Sequence, residues 1–286
     1  MIISSKKAAE FLNVNESTIK RWADKGKIKS HKTPGGHRKF KMEDLKKVSE
    51  ENNYLVPFDF SPVFTDKIYD NISNRNFSAL TSAFGKILLR ADSEPAYQML
   101  YLLYLNKVPV AEIFDELVRK TMQNIGDLWS KGIIGVEDEH IATNTLMKAI
   151  IRFENDVTDR FFSVTSKNLT AVCAGLEKER HDIGLHCVKI ALKHLRWKVV
   201  FPGTNTPAES IINLLKNTKP DILCLSLKSD SEGSKIKTEI YKIIDYTKEM
   251  NIRVFAGGIT EPGEDSDRIT RVKDIVSLIK HLKSYK

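Results

Sequence analysis

The chain has 286 residues, 41% of them hydrophobic and 29% charged, with a formal net charge of +8. That length and balance predict two or three soluble, globular domains. No apolar run approaches a membrane span and no signal-like h-region opens the chain, so a membrane or exported protein is set aside and a cytoplasmic one is expected.

Residues 1–50 hold thirteen Lys/Arg against six Asp/Glu, a net +7 that leaves about +1 for the rest. Such asymmetry is the electrostatic footprint of a polyanion-binding end. Ser4 to Leu12 reads as a short helix with Ala8, Ala9, Phe11 and Leu12 on its buried face. Asn13-Val14-Asn15 is a turn, and Asn15 or Ser17 can cap a second helix over 18–25 that stops at Gly26. Two short helices joined by a tight turn predict a helix-turn-helix whose second helix enters the major groove. Thr18, Lys20 and Arg21 would then face DNA, while Ile19 and Trp22 pack inward as core. Pro34-Gly35-Gly36 between two basic extended runs predicts a hairpin. Its Lys32, His37, Arg38 and Lys39 suit phosphate contacts, which give affinity rather than sequence choice. A closing helix is expected over 42–48.

The order Ser5-Lys6-Lys7-Ala8-Ala9, Thr18-Ile19-Lys20-Arg21-Trp22, Thr33-Pro34-Gly35-Gly36-His37-Arg38 resembles the winged-helix DNA-binding domain of the MerR family. The resemblance covers about 48 residues and implies a dimeric or oligomeric binder of operator DNA.

Residues 51–64, with two prolines and no periodicity, read as a linker. From 65 to 165 apolar residues recur at helical spacing, among them Phe77, Leu80, Phe84, Ile87 and Leu88, then Tyr97, Leu100, Tyr101, Tyr104 and Leu105. Four helices packed as a bundle are expected, with Pro95 and Pro109 at helix starts. Trp129 would end one helix, Gly132 and Gly135 turn the chain, and Glu139-His140 opens a helix over 141–153. Taken locally, this is a core Trp beside a charged first helical turn; the same residues also suit the lining of one pocket.

Residues 166–286 alternate strand-like runs (169–174, 198–202, 222–227, 253–256) with helix-like runs (183–195, 208–217, 235–250), and a last helix is expected over 272–284. That order predicts a parallel, doubly wound, Rossmann-like (flavodoxin-like) domain with ligands at the carboxyl ends of its strands. Three such ends carry polar or Gly signals: residues 179–184, Ser226, and Gly257-Gly258. Taken alone, the first is a solvated polar turn that contains a His. Cys173, Cys187 and Cys224 sit in apolar runs without metal-ligand spacing, so reduced core cysteines are expected, with neither a zinc site nor a disulfide framework.

Glu179-x-His181-x-x-Gly184, then 41 residues, Ser226-Leu227-Lys228, then 28 residues, and Gly257-Gly258 is similar to the cobalamin-binding signature Asp/Glu-x-His-x-x-Gly, Ser-x-Leu, Gly-Gly. Lys228 departs from it, standing where that family has Leu. The resemblance implies that His181 is the lower ligand of cobalt, that Glu179 or Asp182 orients it, and that Gly184, Ser226, Gly257 and Gly258 line the groove for the nucleotide tail. Trp129, seven residues on Val136, and Glu139-His140 resemble the upper-face cap of the CarH type of light-responsive repressor, in which a winged helix, a four-helix bundle and a cobalamin domain follow in this order. That implies adenosylcobalamin held between bundle and α/β domain, a homo-oligomer (dimer or tetramer), and DNA binding controlled by light or cobalamin. Ser130 departs from that pattern, in which a His follows the Trp and becomes the upper cobalt ligand after light. Two other readings stay open: a corrinoid methyl-carrier or enzyme, for which no separate catalytic domain is visible, and a regulator of the same build that no longer uses cobalamin.

Overall fold

Alternating hydrophobicity and short polar breaks give 13 α-helical segments and 8 strands among the described residues of the computed structural model, which are 2–12, 14–52, 64–159, 169–179, 181–227, 234–258 and 269–283. The chain divides into two compact units, Met1–Pro109 with Glu116–Ala149, and Val110–Asp115 with Ile150–Lys286. Among the described residues no helix is long and apolar enough to cross a membrane.

In the first unit, β1 (Ile2–Ser4) leads into α1 (Ser5–Phe11) and α2 (Glu16–Asp24), then β2 (His31–Lys32), β3 (Arg38–Lys41) and α3 (Met42–Asn52). The strands pair antiparallel in the order β1-β3-β2. Ala8, Ala9, Phe11, Leu12, Ile19 and Trp22 are buried, as the helix periodicity predicts, and Ile28, Phe40, Met42 and Leu45 complete the core. Asn15 takes the N-cap position of α2, although its side chain makes no capping hydrogen bond. The expected linker at 51–64 lies mostly outside the described residues; residues 51 and 52 continue α3.

A short helix α4 (Asp66–Ser73) precedes α5 (Phe77–Leu89) and α6 (Ser93–Leu105), which is buried on nearly every face, as a central bundle helix must be. The next helical run starts as α7 (Val110–Glu112), widens to a π-helical stretch (Ile113–Arg119) and continues as α8 (Lys120–Ser130). Then α9 (Val136–Glu154) runs into a second π-helical stretch, Asn155–Asp159. The expected helix over 141–153 thus begins five residues earlier, at Val136, where Asp138 accepts from the Gly135 N–H at 3.0 Å. The ammonium of Lys7 on α1 lies 4.1 Å from the ring centre of Tyr104 on α6. Tyr69 on α4 has its hydroxyl pKa raised by burial and then by the charges of Glu43 on α3 and Asp66.

In the second unit, β4 (Thr170–Leu176), α10 (Ile183–His194), β5 (Lys198–Thr206), α11 (Ala208–Thr218), β6 (Ile222–Ser226), α12 (Ser234–Glu249), β7 (Arg253–Gly257), β8 (Ile269–Arg271) and α13 (Ile275–Leu282) alternate. All five strands are parallel, in the order β5-β4-β6-β7-β8. This is the flavodoxin-like order, whose reversal of direction lies between β4 and β6. The pleat explains the two cores: Val172, Ala174 and Leu176 pack with Ile211, Leu215 and Ile243, while Ala171 and Cys173 pack with Leu185, Leu192, Leu278 and Leu282. The three cysteines are free and buried. The hydrogen bond with Cys224 and burial raise the Cys173 thiol, and burial raises Cys187. Asp115 is buried and accepts from the backbone N–H groups of Ile275 and Val276, at 3.0 and 2.8 Å, at the start of α13.

Candidate functional site

At the carboxyl end of β4 the chain turns back sharply: the Glu179 N–H donates to the Leu176 carbonyl at 3.0 Å, with Lys178 in the left-handed region at φ 72°. The turn drives Glu179 into the interior, where it is 4% exposed. Its Oε1 accepts from the His181 backbone N–H at 2.7 Å and lies 2.9 Å from His181 Nδ1. With Nδ1–H donating to the carboxylate, the lone pair falls on Nε2. The imidazole itself is 77% exposed. A buried carboxyl hydrogen-bonded behind an exposed imidazole is the arrangement that orients a metal-ligating nitrogen. Of the two acidic partners left open by the sequence, Glu179 is the one at hydrogen-bond distance; Asp182 occupies the N-cap position of α10 without a side-chain capping bond.

Around this loop the strand ends are nearly bare. Gly175, Ser226 and Gly257 are register partners across β4, β6 and β7. A Cβ at Gly257 would make only ordinary contacts, and one at Gly184 would meet nothing within 4 Å, so the chain's own packing does not demand glycine at either. Gly258 differs: its φ is 85° and a Cβ there would lie 2.5 Å from the Leu227 carbonyl oxygen. Lys228 lies outside the described residues. No trio of His, Cys, Asp and Glu able to hold a bare metal ion occurs among the described residues. A corrinoid brings its own ring nitrogens and would need one nitrogen donor from the protein; the exposed His181 imidazole, held by Glu179, fits such a group.

Two features escaped the sequence reading. Asn205, in β5, accepts from the Lys178 N–H at 2.9 Å. Its signal was Gly203-Thr204-Asn205 before Pro207, a run that interrupts strand periodicity. His186, one turn into α10, has its Nδ1 3.2 Å from Lys189 Nζ and its ring 4.7 Å from that of Phe201. Burial and then the Lys189 charge lower its pKa, which keeps it neutral.

In the first unit, the helix α8 ends at an exposed interhelical turn. Gly132 at φ 65° donates to the Trp129 carbonyl, and Ile133 to that of Leu128. Trp129 is 50% exposed, so the local expectation of a core Trp does not hold. Ile133, Val136 and Ile141 are exposed as well. Single exposed apolar side chains are ordinary, and these four all fall within residues 129–141. Glu139 Oε1 accepts from the Thr143 hydroxyl at 2.8 Å, and its other oxygen is 3.7 Å from Nε2 of the exposed His140. Ser130 is exposed and donates to the Asp127 carbonyl at 3.0 Å.

On the basic face, Lys20, Arg21, Lys32 and His37 are exposed; Thr18 and Lys39 are half-buried. The hairpin turn closes as Thr33 N–H donates to the His37 carbonyl at 2.8 Å, with Gly36 at φ 77°. Arg38 is not a free cation, because its guanidinium pairs with Asp24 at the end of α2 and so ties the hairpin to that helix.

Comparison with known proteins agrees with both halves of this picture. Residues 2–53 match the model of a helix-turn-helix domain, and residues 88–154 that of a B12 binding domain. The HTH-type transcriptional repressor CarH of Myxococcus xanthus is 21% identical over 234 residues, covering 77% of this chain and 76% of that protein. Among solved structures, the monomethylamine corrinoid protein of Methanosarcina barkeri covers 73% of this chain and 99% of its own, with a TM-score of 0.56 and 13% identity, a likeness of fold. The two domain matches define the class: a DNA-binding regulator of the cobalamin-binding kind.

Proposed function

We propose that this chain is a MerR-type, CarH-like repressor that binds operator DNA as a homo-oligomer under the control of adenosylcobalamin and light. The observation that carries the reading is the Glu179–His181 pair at the carboxyl end of β4, on a chain that also bears a helix-turn-helix. His181 would hold cobalt from below through Nε2, with Glu179 fixing its tautomer. Gly184, Ser226 and Gly257 would leave room for the nucleotide tail, beside the turn that Gly258 makes. Trp129, Val136, Glu139 and His140 would meet the adenosyl group, an assignment supported by the sequence pattern and by the exposure of Trp129 and Val136. The chemistry the cofactor would supply is a cobalt–carbon bond that light breaks. Trp129 and Glu139 are where affinity for the intact and the cleaved forms differs, and only such a difference moves an equilibrium between DNA-binding and released states.

The test is size exclusion and operator gel shift with adenosylcobalamin, in the dark and after green light. The reading predicts a larger species and a retarded band in the dark, both lost on illumination. Identical profiles in every state would sink the switch. The corrinoid-protein fold favours a second reading, a methyl carrier; that reading predicts cobalamin binding with no effect on the DNA band.

A further inference from the structure

The pairing of β4 with β5 is irregular at its carboxyl end. Val172 faces Val200, Ala174 faces Gly203 and Leu176 faces Thr206. Twice, therefore, β5 spends three residues where β4 spends two. The extra length is absorbed at Gly203, with φ 92°, and at Asn205, with φ 55°. Crowding on the β4 side is met by Gly175, where a Cβ would lie 2.9 Å from Thr204 Cγ2. Bulges of this kind bend a strand and re-aim a side chain. Here the side chain re-aimed is Asn205, whose Oδ1 accepts from the Lys178 N–H at 2.9 Å. Lys178 is itself left-handed, a conformation costly for a residue with a Cβ unless its surroundings hold it. It immediately precedes Glu179, the buried carboxylate that holds His181.

We infer that Asn205 is a positioning residue for cobalt ligation: by holding the Lys178 N–H from the bulged end of β5, it sets the turn that places Glu179 and, through it, the His181 imidazole. The inference rests on His181 being the lower cobalt ligand, as proposed above. Asparagine suits both demands of the position, since it tolerates the left-handed region and carries an acceptor oxygen two bonds from Cβ.

Two substitutions separate these demands. Asn205→Gly keeps the backbone freedom and removes the acceptor. Asn205→Asp keeps an acceptor and tolerates the same φ. The full chain, grown with 15N-histidine, is loaded with cob(II)alamin, and its electron paramagnetic resonance spectrum is recorded alongside binding affinity. Coordination by His181 gives a two-line nitrogen splitting from 15N in place of the three lines of a 14N ligand. The expected result is the two-line splitting in the wild type and in Asn205→Gly a loss of that splitting with about 10–100-fold weaker binding, the size seen for partners of metal ligands. Asn205→Asp should restore both. An undiminished two-line splitting and affinity in Asn205→Gly, with the wild type behaving as expected, would overturn the role of Asn205 alone. A wild type without the two-line splitting would overturn the His181 reading and this inference with it.

Discussion

Glu179 Oε1 lies 2.9 Å from His181 Nδ1, and the carboxylate is buried while the imidazole is exposed. The acid serves the imidazole and not the reverse. The same oxygen takes the His181 backbone N–H at 2.7 Å, so Glu179 anchors ring and main chain together. Glu179→Ala is expected to leave His181 present but unanchored, and to weaken cobalamin binding by about 10–100-fold in equilibrium dialysis. Glu179→Gln, which keeps an acceptor oxygen, should lose less.

Gly184 and Gly258 separate binding from folding. Gly184 lies in the first turn of α10 with open space around its Cβ position. Gly184→Ala should leave stability unchanged or raise it by up to about 1 kcal/mol in urea unfolding, because alanine loses less entropy in a helix. If a ligand fills the space, the same variant binds cobalamin more weakly. Gly258→Ala combines a φ of 85° with a clash at the Leu227 carbonyl and should destabilise the unit itself, by about 1–3 kcal/mol.

Glu154 and α10 make the unit's stability depend on pH. Glu154 is 2.6 Å from Lys189 and 2.8 Å from Lys193, with its side chain 9% exposed. Burial pushes its carboxyl up, but the two lysines outweigh burial and hold it below the ordinary 4.5. A carboxyl lowered on folding contributes stability that is present above its unfolded value and lost as the pH falls through the folded one. His186, lowered from 6.5 by burial and Lys189, loses its contribution in the same direction but starts at higher pH. Urea midpoints should therefore decline in two stages, first below about 6.5 and then below about 4.5. Glu154→Ala should flatten the second stage and cost about 1–3 kcal/mol at neutral pH, since Lys189, its side chain 12% exposed, is left without this carboxylate.

The basic face is open to a salt-dependence test. Lys32 and Arg21 are exposed on the hairpin and on α2. If each neutralises one phosphate, Lys32→Ala or Arg21→Ala should reduce the slope of log affinity against log salt by about 0.9. An unchanged slope in both would place the DNA elsewhere on the module.

The fold's long elements were legible because each buries one face with a fixed period: α2, α5, α10 and the strands β4, β6 and β7 lie close to where the apolar pattern puts them. What the pattern did not reveal depends on partners distant in sequence. β1 and β8 are three residues each and exist through pairing with β3 and β7. β5 reads as ending at Pro202, yet its bulge carries pairing with β4 on to Thr206. At the site, sequence left Glu179 or Asp182 as the partner of His181, and the 2.9 Å contact from Glu179 decides between them. Trp129 shows the opposite limit: helical spacing treats every aromatic as core, and only exposure distinguishes a side chain turned toward solvent.

Cobalamin ligation by His181 is tested most sharply by retention of adenosylcobalamin in the full chain. Protein and His181→Ala are mixed with the cofactor in the dark, desalted, and their visible spectra recorded before and after illumination. A pigmented wild type near one cofactor per chain is expected, with a spectrum that changes with light and a variant that emerges with altered or lost pigment. A colourless wild type, or a His181→Ala variant with the wild-type spectrum and occupancy, would contradict it.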